Sequence, residues 1–110
     1  ANPLFTPAKK YNINLRDGKH YLEIEIQAVF EDEKVLEYLG TRAPIMDDMV
    51  ITFLGTMDIQ TLRDEKGKNL IRKELWKQVN SLFTEEFIDE SDSGDRTPVR
   101  NILITKFVLQ

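Results

Sequence analysis

The sequence predicts a single α+β domain, and three features of its 110 residues carry that prediction. Apolar and polar residues alternate on both sides of Asp17-Gly18, which is typical of a β-hairpin. After Phe30 the apolar spacing changes from two to about 3.6 residues, which is typical of helices. Residues 99–109 then return to a strand pattern. We therefore expect a β-hairpin, helices packed on one face of a small sheet, and a C-terminal strand.

The hairpin is predicted over residues 11–30, with its turn at Asp17-Gly18. Glycine adopts a positive φ without strain, so this dipeptide suits a tight turn. Side chains alternate between the two faces of a strand. One face of the second strand is expected to be buried, and it carries His20, Leu22, Ile24, Ile26, Ala28 and Phe30. The solvated face carries Tyr21, Glu23, Glu25 and Gln27.

Two helices are expected to follow the hairpin. Asp32 suits the N-cap of the first helix, because its carboxylate accepts backbone N–H groups there, and Gly40 suits its end, because glycine adopts the left-handed conformation that ends many helices. Pro44 fits the first turn of the second helix, which is expected to end near Gly55. The first helix is expected to bury Val35, Leu36 and Leu39. The stripe expected to be buried on the second comprises Ile45, Met46, Met49, Val50, Phe53 and Leu54.

Asp58 is expected to cap a single helical turn at residues 59–63, and Asp64 to begin the longest helix, at 65–83. Gly67 lies in the first turn of that helix, where we expect it to be tolerated. The apolar positions recur with helical spacing and so predict a buried stripe. They are Ile71, Leu75, Val79 and Leu82.

A polar loop is predicted at residues 89–98, before the final strand. Both faces of that strand are apolar. One face is expected to hold Ile102, Ile104 and Val108, and the other Leu103, Phe107 and Leu109. Such a strand suits a sheet covered by helices on one side and by a neighbouring layer or a partner on the other.

The overall composition argues against several classes of function. The net charge of −4 and the pI near 5.0 give no basic face for a nucleic acid. The chain has no cysteine for a thiolate metal site. Residues 1–10 combine two prolines and two lysines, which is typical of a linker, and we expect a further segment upstream.

Candidate catalytic and metal-binding groups do not form a recognisable site in the sequence. His20 stands alone beside a turn, and a structural role is the simpler interpretation. The loop that begins at Asp89 lacks the Glu that ends a calcium-binding loop, because Arg100 occupies the twelfth position. Three pairs of carboxylates are expected to be solvated: Glu23 and Glu25, Asp47 and Asp48, and Glu85 and Glu86. We therefore expect no cofactor and no enzymatic activity.

Three successive segments resemble a known family. They are YLEIEIQAVFED, LGTRAPIMDDMVITFLGTMDIQTLRDEKGKNLIRKELWKQVNSLF and the terminal ILITKFVLQ. Their order and spacing are similar to the C-terminal domain of the flagellar basal body-associated protein FliL family. The resemblance covers residues 11–110. It implies the SPFH fold of stomatin-type scaffolds and a periplasmic domain of a single-pass inner-membrane protein, with residues 1–10 linking it to an N-terminal transmembrane helix.

The resemblance also implies a function. It predicts a non-enzymatic protein that assembles into rings and binds the stator proteins MotA and MotB of the flagellar motor. Exposed apolar groups and planar cations are frequent at protein contacts. The candidate contact residues are therefore Leu4, Phe5, Arg72, Lys73 and Trp76.

Two alternatives to the motor role stay open at this point. One is a general stomatin-like membrane scaffold without a flagellar partner. The other is a small hydrolase or carboxylate-metal enzyme that uses Glu23, Glu25 or the Asp89 loop. An enzyme of this kind requires a carboxyl group with a raised pKa in a cleft, whereas a scaffold does not.

Overall fold

The computed structural model describes residues 2–91 and 93–110. Ala1, in the predicted linker, and Asp92, in the predicted polar loop, lie outside the described residues. The elements follow in the order β1 (Leu4–Phe5), β2 (Lys9–Asn14), β3 (Tyr21–Phe30), α1 (Glu33–Thr41), α2 (Ala43–Gly55), α3 (Ile59–Arg63), α4 (Glu65–Asn80), α5 (Glu85–Glu90) and β4 (Asn101–Leu109). The predicted α+β class is confirmed.

The ten-residue strand β3 is the centre of a four-stranded antiparallel sheet. Strands β2 and β1 pair with its two halves along one edge, and β4 pairs along the other. The predicted hairpin is confirmed, and Gly18 adopts a φ of 69° in its turn. Buried and partly exposed residues alternate along β3, and its buried face packs on the helices.

Strand β4 contains a bulge that reverses its two faces. Glu25 pairs with Lys106 and Ile26 with Ile104, so Thr105 has no opposite residue. An extra residue shifts every later side chain to the other face. Phe107 and Leu109 therefore lie opposite the buried residues Ile24 and Leu22, whereas Val108 lies opposite Glu23. The predicted faces of β4 are therefore wrong beyond the bulge. The alternation in the sequence groups Val108 with Ile102 and Ile104, and Phe107 and Leu109 with Leu103.

Two of the three predicted aspartate caps form a side-chain hydrogen bond, whereas Asp58 precedes α3 without one. The Asp32 carboxylate accepts the Lys34 backbone N–H at 2.9 Å, and Asp64 accepts that of Lys66 at 3.1 Å. Pro44 lies in the first turn of α2. Gly40 is part of α1 rather than its end, since the helix continues to Thr41.

Gly67 has a stronger role than the sequence indicates. A Cβ atom at this position would lie 2.2 Å from the carbonyl oxygen of Thr61. Helix α3 approaches α4 so closely there that only a hydrogen fits. The prediction that the helix tolerates Gly67 did not include this requirement, because the contact lies between two helices and cannot be inferred from the position of Gly67 in one of them.

The helices bury narrower stripes than expected. Leu36 is 41% exposed and Ile45 is 55% exposed, because both lie at the solvent edge of their helices. The buried apolar side chains of these stripes are Val35 and Leu39 of α1, Val50 and Leu54 of α2, and Ile71, Leu75 and Val79 of α4. Leu82, predicted in the same stripe, follows the end of α4 at Asn80 and is only partly buried.

The segment before β4 also differs from its prediction. Thr84 caps the short helix α5, which the sequence reasoning missed, and Asp89 and Glu90 belong to it. The predicted polar loop 89–98 therefore begins only at Ser91.

The predicted linker contributes to the sheet, since residues 4–5 form β1 and residues 9–10 begin β2. Within the described residues, each helix is too short or too polar to cross a membrane.

Candidate interaction surfaces

Trp76 lies where helix α4 crosses the start of β4. Its indole Nε1 donates a hydrogen bond to the carbonyl oxygen of Val99 at 2.7 Å. The ring is partly buried against the core, so only part of it is available to a partner. Trp76 therefore combines a structural role with a candidate contact role.

Asn80 lies one helical turn after Trp76 in α4 and also binds the backbone of Val99. Its Oδ1 accepts the Val99 N–H at 3.0 Å, and its Nδ2 donates to the Val99 carbonyl at 3.0 Å. The same Nδ2 donates to the Trp76 carbonyl at 3.1 Å. Sequence reasoning missed this residue. The available signal was an amide next to Val79, beside the apolar stripe of α4, where a polar side chain needs buried partners.

Three predicted contact residues lie together in a shallow groove between α4 and the start of β4. We call this surface the cationic groove, and its lining residues are Asn69, Arg72, Lys73, Trp76, Arg100 and Asn101. Arg72 Nη1 donates to the Asn69 Oδ1 at 2.7 Å, which orients the guanidinium along the helix. The groove thus combines three cationic side chains with an aromatic edge.

Arg100, the residue before β4, also lines this groove and was not a predicted contact residue. It forms ion pairs with Asp95 and, at 3.4 Å, with Glu31. The hydrogen bond to Asp95 raises the pKa of the guanidinium, so its charge is fixed. Two acidic residues partly neutralise Arg100, and the cationic character of the groove rests mainly on Arg72 and Lys73.

Leu4 and Phe5 form β1. This strand lies at the end of the sheet where β4 begins, but on the opposite side of β3. Leu4 packs partly on the core, whereas Phe5 is 49% exposed. Phe5 pairs with Val29, and Val29 pairs with Asn101 of the cationic groove. The register therefore places Phe5 about 10 Å from Asn101, two strand spacings away. The structure brings all five predicted contact residues to one end of the molecule.

The candidate catalytic carboxylate Glu23 lies between two lysines on the outer face of the sheet. Lys10 Nζ is 3.0 Å and Lys106 Nζ 3.1 Å from its Oε1. The hydrogen bonds from Lys10 and then Lys106 lower the pKa of Glu23 below its ordinary value. A general acid needs a raised pKa, so this environment does not suit acid catalysis.

His20 is bound within its own turn. Its Nδ1 lies 2.6 Å from Asp17 Oδ2. Asp17 also accepts the backbone N–H groups of Lys19 and His20, at 2.8 and 3.0 Å. These hydrogen bonds, that of the Lys19 N–H first, lower the pKa of Asp17 to about 2. The arrangement closes the hairpin turn and fits the structural interpretation of His20.

Comparison with known proteins identifies a family and a curated relative. The sequence profile of a family described as flagellar basal body-associated protein FliL matches residues 5–110. The chain is also 25% identical over 100 residues to the Flagellar protein FliL of Aquifex aeolicus (strain VF5), across 89% of this chain and 55% of that protein. The chain thus spans about half the length of the curated relative it matches.

Proposed function

This chain belongs to the family of flagellar basal body-associated FliL proteins, and we propose that it is a non-enzymatic motor accessory protein that self-associates and binds stator units in support of motility. The family match supports a role at the flagellar motor. The stator proteins MotA and MotB are the proposed partners, and a ring of copies is the proposed assembly.

The cationic groove is the single observation that supports a partner-binding surface on this chain. Trp and Arg are enriched among the residues that dominate binding energy. The groove presents Trp76 between cations, although the chain as a whole has a net charge of −4. A partner that docks there is expected to present carboxylates, because complementary charge steers association and fixes orientation.

Phe5 offers a second, apolar contact at the same end of the molecule, on the face of the sheet away from the helices. Its exposed ring lies on the same face and at the same end as Asn101. The apolar core of an interface is typically surrounded by polar contacts, so an apolar anchor at Phe5 is compatible with charged contacts at the groove. We assign Leu4 a supporting role, since it fixes β1 against the core and thereby positions Phe5.

The proposed location is the periplasm, with residues 11–110 as the functional domain of a single-pass inner-membrane protein at the basal body. The segment before β1 would connect the sheet to the membrane anchor, because residues 4–5 and 9–10 of the predicted linker are themselves strand residues. Confinement to a membrane raises the effective concentration of the copies and so favours ring assembly.

The test is crosslinking of the membrane-anchored chain in cells, followed by mass spectrometry of the attached proteins. We expect stator subunits together with ladders of the chain itself. Ladders without stator subunits would contradict the stator role and favour a general membrane scaffold. Recovery of neither would contradict both parts of the proposal.

A further inference from the structure

An apolar pocket lies beneath the connection between β1 and β2. Its volume is about 210 Å³. Core residues from the sheet, α1, α2 and α4 line it: Ile26, Ala28, Leu39, Met46, Val79 and Ile102. The pocket is separate from the cationic groove, since the two share no lining residue.

Three polar side chains at the rim of this pocket bind one another, and the Thr6 hydroxyl accepts the Ala28 backbone N–H at 2.9 Å. The Tyr11 hydroxyl donates to Asp47 Oδ1 at 2.6 Å, and Lys9 Nζ lies 3.4 Å from Asp47 Oδ2. The ammonium and the carboxylate carry opposite charges, and the hydroxyl already has its acceptor. A ligand in the pocket would therefore meet no net charge and no hydroxyl that lacks a partner.

Gly40 leaves the α1 side of the pocket open. It lies within a helix, where glycine is less favourable than alanine. Close packing does not explain the missing side chain, because a Cβ atom there would meet nothing within 4 Å. The absence of a side chain at this position keeps volume available that a larger residue would fill.

We propose that this pocket is a binding site for a small uncharged aromatic ligand, such as a single ring with a short alkyl substituent. An apolar cavity of about 150 Å³ stays dry and binds benzene, so a larger one lined by similar side chains accommodates a substituted ring. The neutral rim selects against charged ligands, because burying a charge without a partner is costly. This site is independent of the proposed motor role.

The test is a titration of the isotope-labelled chain with toluene, monitored through the NMR signals of the methyl groups of the chain. We expect saturable shifts at Leu39, Val79 and Ile102, with the signal of Val108 on the outer face of the sheet unchanged. Benzoate, which carries a charge, is expected to cause no saturable shift at these methyl groups.

Two variants that fill the pocket and one control identify the site. Gly40→Leu and Ala43→Leu both place a side chain at the pocket wall, and either is expected to abolish the toluene shifts. Gly55→Leu makes the same change in α2 at a position that also has open space but does not line the pocket. That control is expected to bind toluene as the unmodified chain does.

Several outcomes would overturn the proposal. Absence of saturable shifts would do so, as would shifts that persist in both filled variants. Self-association of the isolated chain that Gly40→Leu abolishes, without toluene binding to the unmodified chain, would instead show that a side chain of a second copy occupies the pocket.

Discussion

The indole nitrogen of Trp76 donates a hydrogen bond to the carbonyl oxygen of Val99 at 2.7 Å, which ties α4 to the start of β4. The same ring forms the aromatic edge of the cationic groove. Removal of the whole side chain would therefore disturb the fold and the surface together. A test of the surface has to preserve the packing of Trp76.

Trp76→Phe separates the hydrogen bond from the packing of the ring. The variant is expected to lower the free energy of unfolding by about 1 kcal/mol, because it leaves the Val99 carbonyl without the indole donor. The carbonyl keeps its second donor, Asn80 Nδ2, which limits the loss. Chemical denaturation measures the change, and an unchanged free energy of unfolding would contradict a stabilising role for this bond.

Asn80→Asp is expected to be more destabilising than Trp76→Phe, by about 2 to 3 kcal/mol at neutral pH. The carboxylate would still accept the Val99 N–H, but it would face the carbonyl oxygens of Val99 and Trp76 without a donor. The exposed Asn69→Asp is the matched control and is expected to change stability little. Thermal unfolding measures both variants. Equal losses of stability in Asn80→Asp and Asn69→Asp would contradict the proposed role of the Asn80 hydrogen bonds.

Substitution of two helical glycines by alanine is expected to give opposite results. Gly67→Ala forces a Cβ atom against Thr61 and is expected to cost about 1 to 3 kcal/mol. Gly40→Ala meets open space and is expected to add about 0.5 to 1 kcal/mol of stability. The difference in the denaturant midpoint between the two variants tests this directly. A stabilising Gly67→Ala would show that α3 and α4 do not approach as described.

The turn at Asp17 predicts a stability loss in acid. Hydrogen bonds from the Lys19 N–H and from His20 lower the pKa of Asp17 to about 2 in the folded chain. The unfolded value is about 3.9. A lowered folded pKa stabilises the fold above the unfolded pKa, and this contribution disappears as the pH falls through the folded pKa.

Asp17→Asn is therefore expected to be less stable than the unmodified chain at neutral pH. The difference should shrink as the pH falls from about 5 towards about 2, where the native carboxylate becomes protonated. Urea unfolding across this pH range gives the comparison. A difference that does not depend on pH would contradict the ionic origin of the contribution.

Signals within a few residues predicted much of the fold. Asp17-Gly18 defines its turn, and Asp32 and Asp64 define helix starts, because each acts on the backbone next to it. The bulge at Thr105 and the contact of Gly67 with Thr61 depend on neighbouring elements in space. These features could not be inferred from local periodicity.

The candidate surface could likewise be predicted only in part, where its residues are close in the sequence. Arg72, Lys73 and Trp76 share a helix, so their proximity follows from their spacing. Arg100 and Asn101 join them only through the packing of β4 on α4, and Phe5 only through the sheet register. The assignment of these residues to a partner stays a prediction.

The central claim is that the cationic groove binds the stator, and the most direct measurement is the recovery of stator subunits with charge-reversed chains. The groove variant of the membrane-anchored chain carries both Arg72→Glu and Lys73→Glu. The control carries Lys19→Glu, in the hairpin turn at the other end of the sheet. Thermal unfolding of each variant verifies that the fold is intact. Loss of stator recovery with the groove variant but not with the control is the predicted result. Equal recovery from the unmodified chain, the control and the groove variant would contradict the claim.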